Sequence, residues 1–461
     1  NISYNWLKRY IATDLPAEKI AEILTDIGLE VEGFEKIETV KGGLRGVVVG
    51  EVVTCADHPD SDHLHVTAVD VGAADRADRL RRRELPGRIE SPLATVGAVL
   101  YPDGGDEEFK IKRSKIRGVE SLGMLCAEDE LGIGSSHDGI MELPADAPVG
   151  MEAREYLHVE DDYLIEIGLT PNRVDAASHI GVARDLAAYL KQNGKPANLK
   201  RPSVDAFKID DEVPAIEVVV ENKEACLRYS GITIKNVTVK ESPEWLQNRL
   251  KVIGLRPINN VVDITNYILH GVGQPLHSFD ADKIKGNKVV VRSATEGAKF
   301  VTLDGVERTL TDRDLMICNV EEPMCIAGVF GGLDSGVTEQ TKNVFLESAT
   351  FHPTWIRKTA RRFGLNTDAS FRYERGLDPN QTVEVMKRAA LLIQEVAGGT
   401  ITGAIQDIYP VPVAPYRVEL TYDKVNTLIG KVIPVETVQQ GFGNRTSDLG
   451  LRATTELVNQ D

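Results

Sequence analysis

Cysteine is scarce in this chain of 461 residues. There are five, Cys55, Cys126, Cys226, Cys318 and Cys325, scattered, odd in number and without a Cys-x-x-Cys pair. A disulfide-framed secreted domain and a zinc knuckle are both excluded by that pattern, and a reducing compartment, the cytoplasm, is the expected location. Long apolar runs are also missing: no stretch approaches the roughly 18 residues that a membrane helix needs, and the N-terminus does not read as a signal peptide. Positive charge is in deficit, with 53 Lys and Arg against 70 Asp and Glu, a formal net charge of −17. That balance excludes a uniformly basic nucleic-acid binder. It leaves room for local basic patches on an acidic body, because affinity for phosphates depends on where the cations cluster. The length implies several domains, since single cores rarely grow beyond roughly 250–300 residues.

Cations do cluster, most densely in residues 346–378. After Glu347, at the end of the apolar run Asn343-Val344-Phe345-Leu346, come Arg357, Lys358, Arg361, Arg362, Arg372 and Arg375. Only Asp368 and Glu374 oppose them before Asp378, and small polar residues, Asn366, Thr367 and Ser370, lie between. A carboxylate, hydroxyls and dense arginine in one stretch read as a pocket for a polar ligand carried on a phosphate-rich one.

Residues 1–40 read as a small helical unit followed by a strand. Ser3 is placed to cap a helix with Trp6, Leu7 and Tyr10, and a second helix from about Pro16 carries Ile20, Ile23, Leu24 and Ile27 to a stop at Gly28. Core packing accounts for these residues. In residues 41–150, the β-run 46–53, the polar turn 58–63 and a second run 64–71 suggest a small barrel. His58, Asp60, Asp62 and His63 are all of metal-ligand type, but adjacent ligands on one short loop seldom close a tetrahedral shell, so no metal site is assigned. Lys110, Lys112, Arg113, Lys115 and Arg117, with isoleucines interleaved, read as one strand with its cations outward. A solvated face and a phosphate contact both remain open for it. Residues 164–173 read as a strand and turn, after which Asp175 or Ser178 caps a helix bearing Ile180, Val182, Ala183, Leu186, Ala187 and Leu190.

Residues 201–413 mix strand-like runs (216–220, 289–292, 327–332) with helix-like ones (245–252, 264–270, 383–398) out of strict alternation, which reads as α+β. Two further pieces carry chemistry. One is 256–267 with 273–280, which holds Asn266 and His277; the other is the glycine turn 328–332, where a ligand can approach the backbone closely. Alone, His277 is more often a satisfied structural histidine and Asn266 a helix-capping or network residue.

Taken together, Gly46-Val47-Val48-Val49-Gly50-Glu51-Val52 with His58-Pro59-Asp60-Ser61-Asp62-His63-Leu64, and Ser114-Lys115-Ile116-Arg117-Gly118-Val119-Glu120-Ser121 with Gly123-Met124-Leu125-Cys126, resemble the tRNA-binding oligonucleotide/oligosaccharide-binding (OB) domain of bacterial phenylalanyl-tRNA synthetase β subunits. The likeness covers most of residues 1–440. It implies an α+β multidomain chain: a helical module of residues 1–40 and 151–200, an OB-fold barrel inserted at 41–150, a large mixed α/β editing domain of B3/B4 type at 201–413, and an incomplete B5-like domain at 414–461. The implied function is tRNA binding and hydrolysis of mischarged Tyr-tRNA(Phe), in support of ATP-dependent charging by a catalytic α subunit.

By that resemblance His277, Asn266, Gly331, Glu347, Thr367 and Ala369 fall on the editing pocket, with Ala369 a size gate. Glu347 would be an ionised acceptor for the tyrosine O–H, against the plainer reading in which it pairs with a nearby arginine. Lys110, Lys112, Arg113, Lys115, Arg117, Arg361 and Arg362 are the candidate tRNA contacts. No cofactor is expected in this chain. Magnesium and ATP belong to the complete enzyme, and no magnesium ligand is assigned here. The implied partners are tRNA(Phe) and the α subunit of an (αβ)2 complex, whose main docking domain is expected outside this chain. Two other readings stay open, a tRNA-binding scaffold with an inactive pocket and an OB domain serving an unrelated nucleic-acid or protein partner.

One segment breaks the likeness. Residues 73–92, AADRADRLRRRELPGRIESP, are polar and arginine-dense where a barrel should supply an apolar strand, and are expected to be irregular. Residues 77–84 can be encoded so that a one-base shift reads Gln-Ile-Val-Cys-Gly-Ala-Ala-Asn, a strand followed by a turn. Residues 441–448 lack periodicity and read as a second out-of-frame tail. Peptide mass spectrometry of the protein from its native source is therefore expected to miss the arginine-rich peptide of residues 77–84; its detection would sink the frameshift reading.

Overall fold

The computed structural model describes residues 1–58, 60, 65–72, 89–134, 136, 139–159, 161–414 and 418–446. Residues 73–88, Asp62, His63 and the tail beyond 446 lie outside them, so the expectations for those positions do too. The described chain forms two compact units, Glu35–Tyr163 and, around it in sequence, Asn1–Phe34 with Leu164–Asp461.

In the outer unit, β1 (Ile2–Ser3) leads into α1 (Tyr4–Tyr10), where the Ser3 hydroxyl accepts from the Trp6 N–H as an N-cap. Helix α2 (Ala17–Asp26) ends at Gly28, whose φ of 87° is a left-handed conformation that glycine adopts without strain. Strand β2 (Glu30–Ile37) then leads into the inserted unit.

That unit holds β3 (Val47–Asp57), β4 (His65–Asp70), β5 (Ile89–Thr95), β6 (Val99–Leu100), β7 (Phe109–Lys110), β8 (Ser114–Ile116), β9 (Val119–Ser121), β10 (Gly123–Leu125) and the short helix α3 (Ala153–Tyr156). Four of the strands form an antiparallel sheet in the order β10–β5–β3–β4, and β6–β7 and β8–β9 are separate hairpins. Val47, Ala94, Leu100, Ile111, Cys126 and Leu131 belong to its core. Two expectations need correction. Residues 109–118 are not one strand: Ile111 is buried while Ile116 is 48% exposed, and the chain breaks into β7 and β8 in different hairpins. Residues 89–92, expected to be irregular, begin β5 and pair with β3.

The chain re-enters the outer unit through β11 (Asp162–Gly168), which lies in a sheet of order β1–β11–β2. Helix α4 (His179–Gln192) is capped by Ser178 rather than Asp175; the Ser178 hydroxyl accepts from Gly181 N–H. The remainder comprises β12 (Glu217–Val220), β13 (Cys226–Lys235), α5 (Glu244–Val252), α6 (Asn260–Val272), β14 (Leu276–Asp280), β15 (Lys288–Ser293), β16 (Lys299–Val301), β17 (Glu307–Thr309), β18 (Leu315–Cys318), β19 (Pro323–Ile326), β20 (Phe330–Gly331), β21 (Asn343–Phe351), α7 (Pro353–Phe363), α8 (Asp368–Tyr373), α9 (Thr382–Ala397), β22 (Thr400–Ile408), α10 (Tyr422–Ile429) and α11 (Val435–Thr446). Helix α11 covers part of the stretch expected to be aperiodic.

Two sheets organise this unit. One is antiparallel, in the order β14–β21–β13–β22; the other has the order β12–β15–β18–β19–β20, with β12 and β15 parallel. Side chains alternate across β21. Val344 and Leu346 enter a core shared with Trp6, Leu186, Ile264 and Met386 from the helices. Phe345, Ala349 and Phe351 face the opposite way, into a second core with Val291, Ile317 and Ile326 of the five-stranded sheet. In the first core the Trp6 ring stacks on Tyr267 at 4.5 Å and on His179 at 3.9 Å, which ties α1, α4 and α6 together. Asn259 caps α6 by accepting from Val261 and Val262, and Gly273, at φ 84°, turns the chain from α6 into β14.

Candidate functional site

By the alternation of β21, Glu347 shares the face of Phe345 and Ala349 and lies in the apolar core between the two sheets, 3% exposed. A carboxyl there needs a hydrogen-bond donor. It has one: the Tyr229 hydroxyl of β13 donates to Oε2 at 2.9 Å. No other hydrogen bond from the described residues reaches the carboxyl, and none of their arginines or lysines pairs with it, so the plainer reading of Glu347 as half of an ion pair fails. Burial pushes its pKa up to about 8, with the Tyr229 bond opposing that rise. Burial thus favours the neutral acid, against the ionised acceptor expected from the sequence.

His277, on β14, stands directly across the ladder from Glu347. Its ring packs edge-on against Phe279 at 4.4 Å, and its Nε2 is enclosed with no hydrogen-bond partner. Burial lowers its pKa to about 4, so the imidazole is neutral at physiological pH. A buried polar nitrogen without a partner is rare in folded proteins.

The glycine turn divides by position. Gly328 has φ 66°, and a Cβ there would meet Phe351 and Tyr373 at 2.9 Å, so that glycine serves the turn and its packing. Gly331 is different: a Cβ would meet Leu303 at 2.9 Å and the His277 Cε1 at 3.2 Å. A side chain there would crowd the imidazole and displace the tip of Leu303.

Thr367 is the N-cap of α8. Its hydroxyl accepts from Ser370 N–H at 3.0 Å and donates to the Val329 carbonyl at 3.1 Å, two residues before Gly331. Its proton is thereby committed to the fold. Ala369, in the first turn of α8, packs against the same apolar cluster as Tyr229 and Phe345. Asn266 lies on α6 one turn before His270, on the same helix face, and His270 Nε2 is 3.7 Å from Asp368 Oδ2 at the start of α8. The structure thus joins His277, Glu347 and Gly331 directly. It ties Thr367 to the glycine turn and sets the Asn266 face toward α8, with no hydrogen bond from Asn266 to the other five. A separate cavity of about 330 Å³, lined by Asp175, Arg184, Gln274 and Arg388 among others, includes none of the six.

The arginines of residues 346–378 separate into two groups. Arg372 is buried and donates twice to the Ala177 carbonyl, at 3.1 and 2.9 Å, and to Asp368, which fastens α8 in place. Arg375 pairs with Glu374 at 2.7 Å and stacks over Phe371. Arg362 is bonded to Asp314, a fully buried carboxylate that also accepts from Thr359. Arg357, Lys358 and Arg361 are exposed on α7 and, among the described residues, have no ion pair.

In the inserted unit, Lys110, Lys112, Arg113, Lys115 and Arg117 are all exposed. Arg113 pairs with Glu120 at 2.5 Å, and Arg117 donates to the Asp60 carbonyl at 2.8 Å from a turn in which it and Gly118 both have positive φ. The three lysines have no ion pair among the described residues. His58 is bonded at both ring nitrogens, by the Asp60 N–H at 3.0 Å and to the Ile116 carbonyl at 3.2 Å, which makes it a pin between the loop and this hairpin.

Two family models match the chain, one described as putative tRNA binding domain over residues 47–152 and one as B3/4 domain over residues 225–398. The phenylalanine–tRNA ligase beta subunit of Bacteroides fragilis is 62% identical over 440 residues, 95% of this chain and 53% of its own length. Those of Porphyromonas gingivalis and Geobacter metallireducens are 58% and 44% identical, over 95% and 93% of this chain and 53% and 52% of their own lengths. Over about 95% of its length the chain is similar to phenylalanine–tRNA ligase beta subunits. It spans about half the length of the curated relatives it matches. The lysine-bearing hairpins fall inside the tRNA-binding match, and all six candidate pocket residues fall inside the B3/4 match.

Sequence reasoning missed the residue that bonds Glu347, Tyr229. The strand that carries it, Cys-Leu-Arg-Tyr-Ser-Gly-Ile-Thr-Ile-Lys, is interrupted by Arg228, Ser230 and Gly231, so it shows no clean apolar alternation. Ile232 and Ile234 on one face and Tyr229 and Thr233 on the other were the available signal.

A buried acid with a raised pKa is a stability cost that grows with pH. The unfolded chain ionises Glu347 near the ordinary value of 4.5, while the folded chain resists until about 8, so stability falls as pH rises across that window. Glu347→Gln keeps an acceptor for Tyr229 without that cost. Its unfolding free energy is expected to match the wild type near pH 4.5 and to exceed it at pH 8, by a gap on the order of a few kcal/mol. Denaturant titrations across that range check it, and stability profiles that run parallel would show that the carboxyl is not buried as described.

Proposed function

We propose that this chain is the tRNA-handling and proofreading part of a phenylalanine–tRNA ligase beta subunit, binding tRNA(Phe) and hydrolysing Tyr-tRNA(Phe). One observation carries the reading: a carboxyl with one oxygen left unbonded by the described protein atoms stands across a strand ladder from a neutral imidazole whose Nε2 has no partner, with the glycine turn packed close against that ring. Within this reading residues 41–150 are an OB-fold tRNA-binding barrel inserted into the module of residues 1–40 and 151–200. Residues 201–413 are the editing domain, and 414–461 are the start of a B5-like domain. The catalytic α subunit of an (αβ)2 enzyme is the partner that charges the tRNA, in the cytoplasm. No helix among the described residues is long and apolar enough to cross a membrane.

Tyrosine and phenylalanine differ by one hydroxyl, and an apolar synthetic pocket rejects the added hydroxyl by only about a hundredfold. A second site that requires the hydroxyl corrects the remainder. The tyrosyl phenol donates to the free oxygen of Glu347, a contact that a phenylalanyl group cannot make. Neutral His277, with Nε2 unspent, bonds the attacking water or the ester, and the Asn266 amide is the second polar group on the α6 side. Thr367 holds α8 against the glycine turn, so that Ala369 limits the depth of the pocket.

Hydrolysis then consists of attack by an oriented water on the ester carbonyl carbon; the bond to the acylated ribose oxygen breaks, and the water's proton passes by way of the neighbouring free ribose hydroxyl to that departing oxygen. The nearby thiols do not serve as nucleophiles, because burial pushes those of Cys226 and Cys325 well above their ordinary range. Magnesium and ATP serve the charging reaction. Among the described residues no group of three or more His, Cys, Asp or Glu is arranged to hold a metal ion, and no step here runs through one.

Two measurements test the reading. In a deacylation assay with the α subunit absent, the chain is expected to hydrolyse Tyr-tRNA(Phe) well ahead of Phe-tRNA(Phe). Glu347→Ala should bring the two rates within a few-fold of each other; unchanged selectivity would return Glu347 to a structural role. For tRNA binding, replacing Lys110, Lys112 and Lys115 with alanine should weaken affinity and flatten its salt dependence, by about 0.7–0.9 in log–log slope for each phosphate no longer neutralised. An unaltered slope would assign the basic hairpins to a protein partner or to solvent.

A further inference from the structure

Among the side chains that meet Glu347, one has no part in the chemistry just described. Tyr229 is fully buried, and its hydroxyl is the one donor that the described residues offer to the Glu347 carboxyl, at 2.9 Å on Oε2. The rest of the surroundings are neutral or apolar. From β13 come Gly231, opposite Glu347 in the ladder, and Cys226; the Phe345 ring covers Gly231 so closely that a Cβ there would meet it at 2.3 Å. From β14 come His277 and Phe279, from β19 Cys325, and from α8 Tyr373. Burial holds both thiols and both phenols in their protonated forms and the imidazole in its neutral form. No cation among the described residues faces the carboxyl from any of these elements.

We propose that Tyr229 is a positioning residue for tyrosine selection: by holding one oxygen of Glu347 it fixes the carboxyl in a single orientation and leaves the other oxygen to receive the phenol of a tyrosyl ester. This deepens the editing reading and rests on it. With a tyrosyl group bound, each oxygen accepts from one phenol. A carboxylate satisfies two donors at once, whereas a neutral acid would turn its own O–H toward one of them. Tyrosyl binding therefore releases the Glu347 proton to solvent. With a phenylalanyl group only the Tyr229 donor is present, and the acid stays neutral.

The test has two arms on the full 461-residue chain. In the first, carbon-13-labelled glutamate is titrated by NMR, with the Glu347 signal assigned by its disappearance in Glu347→Gln. The wild-type midpoint is expected near 8. Tyr229→Phe should raise it, and 3-fluorotyrosine at position 229, a stronger donor of the same shape, should lower it. In the second arm, Tyr-tRNA(Phe) and Phe-tRNA(Phe) deacylation is followed against pH. Selectivity for the tyrosyl ester should rise through the wild-type midpoint, and Tyr229→Phe should move that rise to higher pH and cut selectivity at pH 7.5 by about tenfold.

Midpoints that do not move in either variant overturn the proposal. So does a Tyr229→Phe variant that loses thermal stability while its pH profile stays in place. If Tyr229→Phe does not fold, the fluorotyrosine arm decides by the sign of its shift. Titration shifts as expected in a chain that never prefers the tyrosyl ester would retain the hold of Tyr229 on Glu347 and reject the editing reading instead.

Discussion

A carboxyl placed in the middle of a buried strand, with no counter-charge, is the constraint on which the rest of this site depends. Strand β21 is nine residues long and nearly all buried, with helices on one side and a second sheet on the other. Along most of it an apolar or small side chain serves packing. At position 347 the chain accepts the cost of an acid in that environment, and its surroundings lower the cost only as far as one phenol can. Acids with strongly shifted pKa values in buried positions concentrate at functional sites. The orphan nitrogen of His277 directly across the ladder belongs to the same argument, because two adjacent incomplete polar groups are harder to explain by packing than one.

The remaining members are held there by fasteners away from the chemistry. The carbonyl of Ala349, two residues beyond Glu347 on the same strand, accepts from the Gln274 side chain at 2.8 Å and from the Tyr373 hydroxyl at 3.1 Å. One bond ties the α6–β14 turn to β21, and the other ties the end of α8 to it. Arg372 secures α8 to residue 177, and Thr367 secures its first turn to the glycine turn. Three separate segments, 260–280, 328–332 and 367–373, are thus referenced to one strand. Their distances from Glu347 are set by short, directional bonds, where loop flexibility would otherwise leave them loose.

Much of this was legible in the sequence where the signal is local. Ser3 and Ser178 as caps, Gly28 as a stop and the apolar run before Glu347 follow from propensities and periodicity over a few residues. What depends on pairing between distant segments was not. Tyr229 meets Glu347 only because β13 lies beside β21, 118 residues on, and nothing within either strand announces the other. Arginine density misled for a related reason. Of the six cations after Glu347, Arg362, Arg372 and Arg375 are committed to Asp314, to Ala177 with Asp368, and to Glu374. Charge counted along a chain cannot separate a solvent-facing cation from one that neutralises a buried acid. Similarly, the alternation of lysine and isoleucine in 109–118 imitates a strand, while Gly118 and Arg117 turn the chain back on itself.

Within the proposed editing function, the raised pKa of Glu347 gives a logic of selection different from the one the sequence suggests. An ionised carboxylate would reject phenylalanine by being left buried and unpaired, a penalty that exists before any ligand arrives. A neutral acid carries a much smaller penalty of that kind, because an unpaired neutral acceptor costs far less than an unpaired charge. In the proposed mechanism discrimination then comes from what tyrosine adds: its phenol would supply the second donor that stabilises the carboxylate, linking binding to loss of a proton. Such a site rests in a tolerable state between turnovers and develops its strongest contact only with the ligand it selects, which is where differential binding has to be placed for a proofreading step to be selective.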